Sequence, residues 1–318
     1  MFRFLLISTT FLFVYVSYLF VGEDGFLQPN KSSAKELEIP KGFGIVKISD
    51  LLESEKIIPS SKVFSIFAYA FDRYKNLQAG TYFFEKGITP FEVLQKIYRG
   101  NIKKYTVTIP EGYSVHKIFD ILKKHKNLSG DMPEKPVEGS LFPGTYNYKV
   151  GEKRENLVIK MKLEMNKKIK KLTSKYKDNP YSKTPDKVII LASIIEKESA
   201  KNSDRRKISG VFFNRLKKGM RLQSCPTVVY GITFGKRKMK RPVSYEDLKI
   251  NSPYNTYVNK GLPPTPICCP SLDSLESVFN PENHNYYFFV ANNNGYHIFS
   301  ETFRDHKKQK LIIKGRKK

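Results

Sequence analysis

The stretch Asp186–Ala200, reading DKVIILASIIEKESA, constrains this chain more than any other. It predicts one buried helix that ends in two glutamates. At about 100° per residue, Val188, Leu191, Ile194 and Ile195 gather on one side, and Glu198 falls between Leu191 and Ile194 on that side. Glu196 sits at the edge of the stripe and Lys197 points away. A carboxylate on an apolar face is costly to ionise without partners, so its pKa rises toward the range a general acid needs near neutral pH. Two readings are open at this point. Either Glu198 is the acid of a buried site, or the stripe ends one turn earlier and Glu198 is a solvated helix-end residue.

The rest of the 318 residues is long enough for two domains of ordinary size. Composition is globular, with 40% hydrophobic and 13% aromatic residues. Lys and Arg number 56 against 30 Asp and Glu, a net charge of +26 that draws polyanions: nucleic acid, phospholipid headgroups or anionic wall polymers. Residues Phe4 to Gly22 carry no charge and read as a slightly short membrane span, with Arg3 before it and Glu23 and Asp24 after it. That asymmetry favours an N-terminus inside and the body outside. The run closes with Tyr18-Leu19-Phe20-Val21, which lacks the small residues of a signal-peptidase site and favours an uncleaved anchor. A body outside the cytoplasm makes nucleic acid an unexpected partner and brings wall glycan and the membrane surface forward. Cys225, Cys268 and Cys269 have no metal-ligand spacing; adjacent Cys268 and Cys269 are poorly placed to bridge each other, and a bridge to Cys225 stays open.

Residues 23–41 read as a polar linker. In 42–126 short strands and helices alternate: a strand at Gly44–Ile48, a helix at Leu51–Lys56 capped by Ser49-Asp50, and a helix over Lys62–Tyr74. A strand at Ala79–Phe84, a helix over Thr89–Tyr98 with Pro90 in its first turn, a strand at Lys104–Ile109 and a helix over Ser114–Lys124 follow. His116 and His125 read as surface residues of these elements. From 127 onward a Lys-rich helix over Glu152–Tyr176 precedes the key helix, and Arg205–Lys217 gives another amphipathic helix with Ile208, Val211, Phe212 and Leu216 on one face. Asn251–Cys269 reads as an ordered loop, Tyr286–Ala291 and Tyr296–Ser300 as a strand pair, and the basic tail from Lys307 as frayed. The fold class is α+β: an N-terminal transmembrane helix (1–22), a small α+β module (42–126) and a larger α+β catalytic domain (127–318).

Six segments in order carry a resemblance. Leu191-Ala192-Ser193-Ile194-Ile195-Glu196-Lys197-Glu198, Val211-Phe212-Phe213-Asn214-Arg215-Leu216, Gly219-Met220-Arg221-Leu222-Gln223-Ser224, Pro226-Thr227-Val228-Val229-Tyr230-Gly231, Tyr254-Asn255-Thr256-Tyr257 and Gly261-Leu262-Pro263-Pro264 together resemble the endolytic murein transglycosylases of the MltG/YceG type. Each segment alone is weak; the six in sequence are specific. Ala79-Gly80-Thr81-Tyr82 and Leu141-Phe142-Pro143-Gly144-Thr145-Tyr146 are also similar to the family, whose membrane-proximal part contains a LysM-like subdomain. The chain departs at Cys225, where the family commonly shows Asp before Pro-Thr-Val, and at Cys268-Cys269-Pro270, which replaces a more polar run.

The resemblance implies a membrane-anchored lyase that cleaves the bond between N-acetylmuramic acid and N-acetylglucosamine in nascent peptidoglycan, leaving 1,6-anhydromuramyl ends and terminating glycan elongation. It places the catalytic glutamate on Glu198, in agreement with the helical-face reading, with Glu196 in support. Asn214, Gln223, Ser224, Thr227, Tyr254, Asn255 and Tyr257 are candidate glycan contacts, because glycan recognition needs amides, hydroxyls and aromatic faces; for each the other reading is a cap, turn or core residue. His297 and His306 read as structural or surface residues, with a place along the cleft left open for one of them. No cofactor, metal or nucleic acid is expected. Expected partners are glycan strands, the cytoplasmic membrane through the N-terminal helix, and peptidoglycan synthases. Two rivals remain: an inactive wall-binding scaffold, and a hydrolase of the same bond, which needs a second carboxylate.

Overall fold

A computed structural model describes residues 14–22, 25–29, 33–199, 201–292 and 294–315. The chain divides into two compact units, Met1–Tyr105 with Asn147–Glu152, and Thr106–Tyr146 with Lys153–Lys318. Of the apolar run Phe4–Gly22, residues 4–13 lie outside the described residues. Among the described residues no helix is long and apolar enough to cross a membrane.

In the first unit, strand β1 (Lys35–Ile39) pairs antiparallel with β2 (Gly80–Phe84), with Lys35 opposite Phe84 and Ile39 opposite Gly80. β1 falls within the stretch read as a polar linker: Leu37 and Ile39 alternate with three charged residues, so only one face of the strand is apolar. Three helices pack with this ribbon, α1 (Ile45–Ser54), α2 (Ser61–Ala70) and α3 (Pro90–Tyr98). The expected strand at Gly44–Ile48 is wrong. Its β-branched residues begin α1, where Ile45, Ile48, Ser49 and Leu52 recur at helical spacing on the buried face. Ser49 therefore caps nothing; its hydroxyl donates to the Ile45 carbonyl one turn back at 2.8 Å. At α3 the capping box is complete, Thr89 and Glu92 exchanging side-chain and backbone bonds ahead of Pro90. Phe26, Leu52, Phe64, Tyr82, Phe84 and Leu94 form the centre of this core.

The second unit is organised on a helix buried nearly all round. Strands β3 (Tyr105–Ile109) and β4 (Gly144–Tyr148) form a two-stranded ribbon, with helix α4 (Val115–Lys124) between them in sequence. The long helix α5 (Arg154–Lys175) buries Leu157, Met161, Met165, Ile169 and Leu172 and turns most of its lysines outward. Helix α6 (Pro185–Glu198) starts with Pro185 in its first turn and packs against α7 (Asn202–Lys217), α8 (Cys225–Thr233) and α9 (Leu272–Phe279). Val188, Leu191, Ile194 and Ile195, the expected stripe, are all fully buried, and so are Ala192 and Ser193. Strands β5 (Phe288–Ala291) and β6 (His297–Ser300) form an antiparallel hairpin.

The tail does not fray at Lys307 as expected. Helix α10 (Phe303–Gly315) packs on β5 and β6, with Thr302 accepting from the Asp305 amide at 3.2 Å and the Phe288 ring lying 5.7 Å from Phe303 and 5.5 Å from His306. The three cysteines are free, Cys225 exposed and Cys268 and Cys269 buried.

One glycine sets how closely α7 meets the segment before β5. A Cβ on Gly210 would stand 2.3 Å from the Glu282 carbonyl oxygen and 2.6 Å from His284 Nε2. Gly210→Ala is therefore expected to destabilise the protein by about 1–3 kcal/mol despite the better helix propensity of alanine, measured by urea unfolding.

Candidate active site

Glu198 is the last residue of α6, where the helix emerges from the core into a cavity of about 430 Å³. Its side chain is half-buried and lines this cleft. Burial pushes its pKa up to about 7; a hydrogen bond from Ser224 and the charge of Arg215 hold back a larger rise. The solvated helix-end reading therefore fails.

Ser224 Oγ donates to Glu198 Oε1 at 2.5 Å. Ser224 also precedes α8 as its N-cap residue, but its hydroxyl makes no capping bond. The turn carrying it is clamped from behind. Gln223 stands in the left-handed region, φ +50°, and its amide donates to the Thr256 carbonyl at 3.1 Å. The Ser224 amide donates to Thr256 Oγ1 at 3.0 Å, and Thr227 Oγ1 donates to the Ser224 carbonyl at 2.7 Å. Ser224→Ala removes a donor that favours the carboxylate, so the Glu198 titration is expected to move above about 7, read by carbon NMR of the labelled carboxyl group.

Arg215 brings the second charge. It lies on the buried face of α7, spaced with Ile208, Val211 and Phe212, and donates from Nε to the Tyr287 carbonyl and from Nη1 to the Leu222 carbonyl, both at 2.6 Å. Its guanidinium lies 5.3 Å from the Phe288 ring centre. Burial lowers its pKa, without approaching deprotonation near neutral pH.

The cleft wall is amide, imidazole and aromatic: Gln223, Tyr257, Phe288, Phe289, His297 and His306. His297 is oriented by Asp204, which accepts from its amide at 2.8 Å and meets Nδ1 at 3.0 Å. His306 has its pKa lowered, by burial first and then by Lys310 and Arg215. Glu198 is the one carboxylate among the described residues that line this cavity.

Of the seven contacts expected from the sequence, three are here: Gln223, Ser224 and Tyr257, whose hydroxyl is 3.1 Å from Cys225 Sγ. The other four hold the scaffold. Asn214 donates to the His284 and Tyr286 carbonyls at 2.7 and 3.1 Å. Buried Asn255 donates to the Leu248 and Ile250 carbonyls, Thr227 is buried under the Ser224 turn, and the Tyr254 hydroxyl meets Thr265 Oγ1 at 2.8 Å. Amides and hydroxyls serve loop carbonyls as readily as sugars, so residue type alone did not separate the two roles. Glu196 faces away from the cleft. It accepts from the Ser271 amide (3.0 Å), Ser271 Oγ (2.5 Å), Ser274 Oγ (2.7 Å) and Arg205 (3.3 Å), which fastens the start of α9 to α6. Both histidines line the cleft, where the sequence left a place for one; Arg215 was missed as a site residue although it carried a usable signal, a charged residue at apolar-stripe spacing like Glu198 itself.

A carboxyl poised near neutrality in a cleft of amides, imidazoles and aromatic rings defines a protein equipped for general acid–base chemistry on a polar substrate. The chain belongs to the YceG-like family, whose sequence model matches residues 37–311. An endolytic murein transglycosylase of Bacillus subtilis is 32% identical over 322 residues, covering 89% of this chain and 87% of that relative. One of the same name from Streptococcus pneumoniae is 29% identical over 312 residues, covering 83% of this chain and 55% of that longer protein. The crystal structure of a YceG-like protein from Listeria monocytogenes superposes with a TM-score of 0.54 at 31% identity, covering 87% of this chain and 99% of that one.

Proposed function

We propose that this protein is an endolytic peptidoglycan lytic transglycosylase with Glu198 as its acid and base. The observation that carries the reading is Glu198 itself: a carboxyl with pKa about 7, unaccompanied by a second acid among the described lining residues. Near neutral pH a substantial fraction is protonated and can donate to the glycosidic oxygen as the bond to the muramyl anomeric carbon breaks. The carboxylate left behind is stabilised by Ser224 and Arg215. It then takes the proton of the muramyl 6-hydroxyl as that oxygen bonds to the anomeric carbon. Glu198 returns protonated, the product is a 1,6-anhydro ring, and no water is consumed. Hydrolysis needs a second carboxylate to activate water or form an ester. Glu196, the nearest candidate, is locked onto Ser271, Ser274 and Arg205, which argues against the hydrolase. Retention of a poised acid argues against an inactive scaffold.

The uncharged run Phe4–Gly22, flanked by Arg3 and by Glu23 and Asp24, supports a single-pass anchor in the cytoplasmic membrane with the body outside. Residues 42–126, which include β2 and helices α1 to α3, serve in this reading as a LysM-like glycan-holding module. An anchored enzyme cuts strands close to their lipid-linked end, beside the synthases, and so ends elongation. Digestion of purified strands in heavy-oxygen water tests the chemistry: transglycosylation leaves product ends unlabelled, whereas labelled reducing ends contradict it.

A further inference from the structure

A second cavity of about 430 Å³ shares Cys225 with the Glu198 cleft. Four cations line it, Lys117 of α4, Lys197 of α6, and Arg237 and Lys238 beyond α8, and its described lining contains no Asp or Glu. Among the described residues none of the four forms an ion pair; Lys197 Nζ reaches the Gly112 carbonyl at 3.4 Å and Lys117 lies 5.4 Å from the Tyr113 ring centre. Val229, Met239 and Ile267 give it an apolar wall. The turn carrying Arg237 is pinned, since Ser114 Oγ donates to the Gly235 carbonyl at 2.7 Å and a Cβ on Gly235 would stand 2.5 Å from Ser114 Cβ. Like charges held together on separate segments repel one another, a cost that an anionic ligand relieves.

We propose that this cavity binds the carboxylates of the peptide attached to the muramyl sugar of the strand being cut. The proposal rests on the transglycosylase reading, which puts that sugar at Glu198 next to the shared wall. Muramic acid bears its peptide through a lactyl ether, so a strand with its bond at Glu198 carries amides and carboxylates into the adjoining space. Cations spread over three segments, with an apolar wall, match carboxylates distributed along a peptide. A single phosphate is better served by donors converging on one point. Lys197, turned off the apolar stripe between two glutamates, acquires a role here that the acid–base chemistry does not give it.

The test is binding, which does not require turnover. The full-length Glu198→Gln chain in detergent is titrated with glycan oligosaccharides carrying intact peptides, and with the same oligosaccharides after an amidase has removed them. The peptide-bearing form is expected to bind about tenfold tighter, and Lys197→Gln with Arg237→Gln is expected to bring that ratio close to one. Equal affinity for the two forms, no binding of either, or a ratio that survives the two substitutions overturns the proposal. So does displacement by pyrophosphate at lower concentration than by the free peptide, which assigns the cavity to a phosphate instead. Failure of the transglycosylase reading is seen separately, as wild-type protein that leaves strands uncut while the affinity ratio is intact.

Discussion

Glu198→Gln is expected to lower strand cleavage by about 10²–10⁴-fold, the usual worth of a positioned proton donor, while leaving the protein folded and able to bind glycan. Glutamine keeps the size of the side chain and an oxygen to accept from Ser224 Oγ, so the cleft survives while the transferable proton is lost. The pH profile adds a second signature. With a folded-state pKa of about 7, the wild-type acid is depleted as pH rises past that value, so the rate falls about tenfold per unit on the alkaline side. Residual activity of the variant should lack this limb. Stability follows the same group with a definite sign. The unfolded glutamate titrates near 4.5 and the folded one near 7, so between those values the native state holds more protons than the unfolded state. The wild-type protein therefore loses stability as pH rises from about 4.5 to about 7, and then levels off. Glutamine does not titrate, so the variant is expected to be more stable above pH 7 by about 3 kcal/mol and to converge with wild type below about 4.5, measured by denaturant unfolding across pH.

Glu196→Ala is expected to act through the fold. It leaves Arg205 with only its longer ion pairs to Asp273 (3.6 Å) and Glu111 (3.9 Å) and removes the acceptor that Ser271 and Ser274 share at the start of α9. Losing the buried member of this network together with an acceptor for two buried serines costs about 2–4 kcal/mol, enough to lower the melting temperature by roughly 5–10 °C in a unit of this size. Per folded molecule, the variant should still yield the same cleavage product. A change of product, with stability intact, would instead put Glu196 in the chemistry and revive the hydrolase reading. Differential scanning calorimetry beside product mass spectrometry separates the two outcomes.

The place of Glu198 was legible in the sequence because a helix repeats at short range, whereas Glu196, read as support for the site, is engaged by Ser271, Ser274 and Arg205. The apolar stripe of Val188, Leu191, Ile194 and Ile195 set one buried face of α6, which Glu198 shares, while burial of Ile190, Ser193 and the Glu196 side chain outside that stripe comes from long-range packing. Capping likewise announced α3 through Thr89 and Pro90. Gly44–Ile48 misled because β-branched residues suit strands locally, while the choice of helix there comes from burial of Ile45, Ile48 and Leu52 against the rest of the first core. Tail order was likewise hidden: α10 is held by stacking on Phe288, a long-range contact with no local pattern. The cleft divides the same way. Ser224 and Tyr257 have residue types that announce polar chemistry, yet so do Asn214 and Asn255, and only the path of the loops decides which amides face a cavity. His297 reaches the cleft through the β5–β6 hairpin and its bond to Asp204, a pairing that joins residues 93 apart.

The central claim is tested most directly by mass spectrometry of peptidoglycan strands digested with the full-length protein and, in parallel, with Glu198→Gln. Anhydromuramyl ends formed by the wild-type protein and absent with the variant are the expected result. Reducing ends from the wild-type protein, or anhydromuramyl ends formed equally well by the variant, would contradict it.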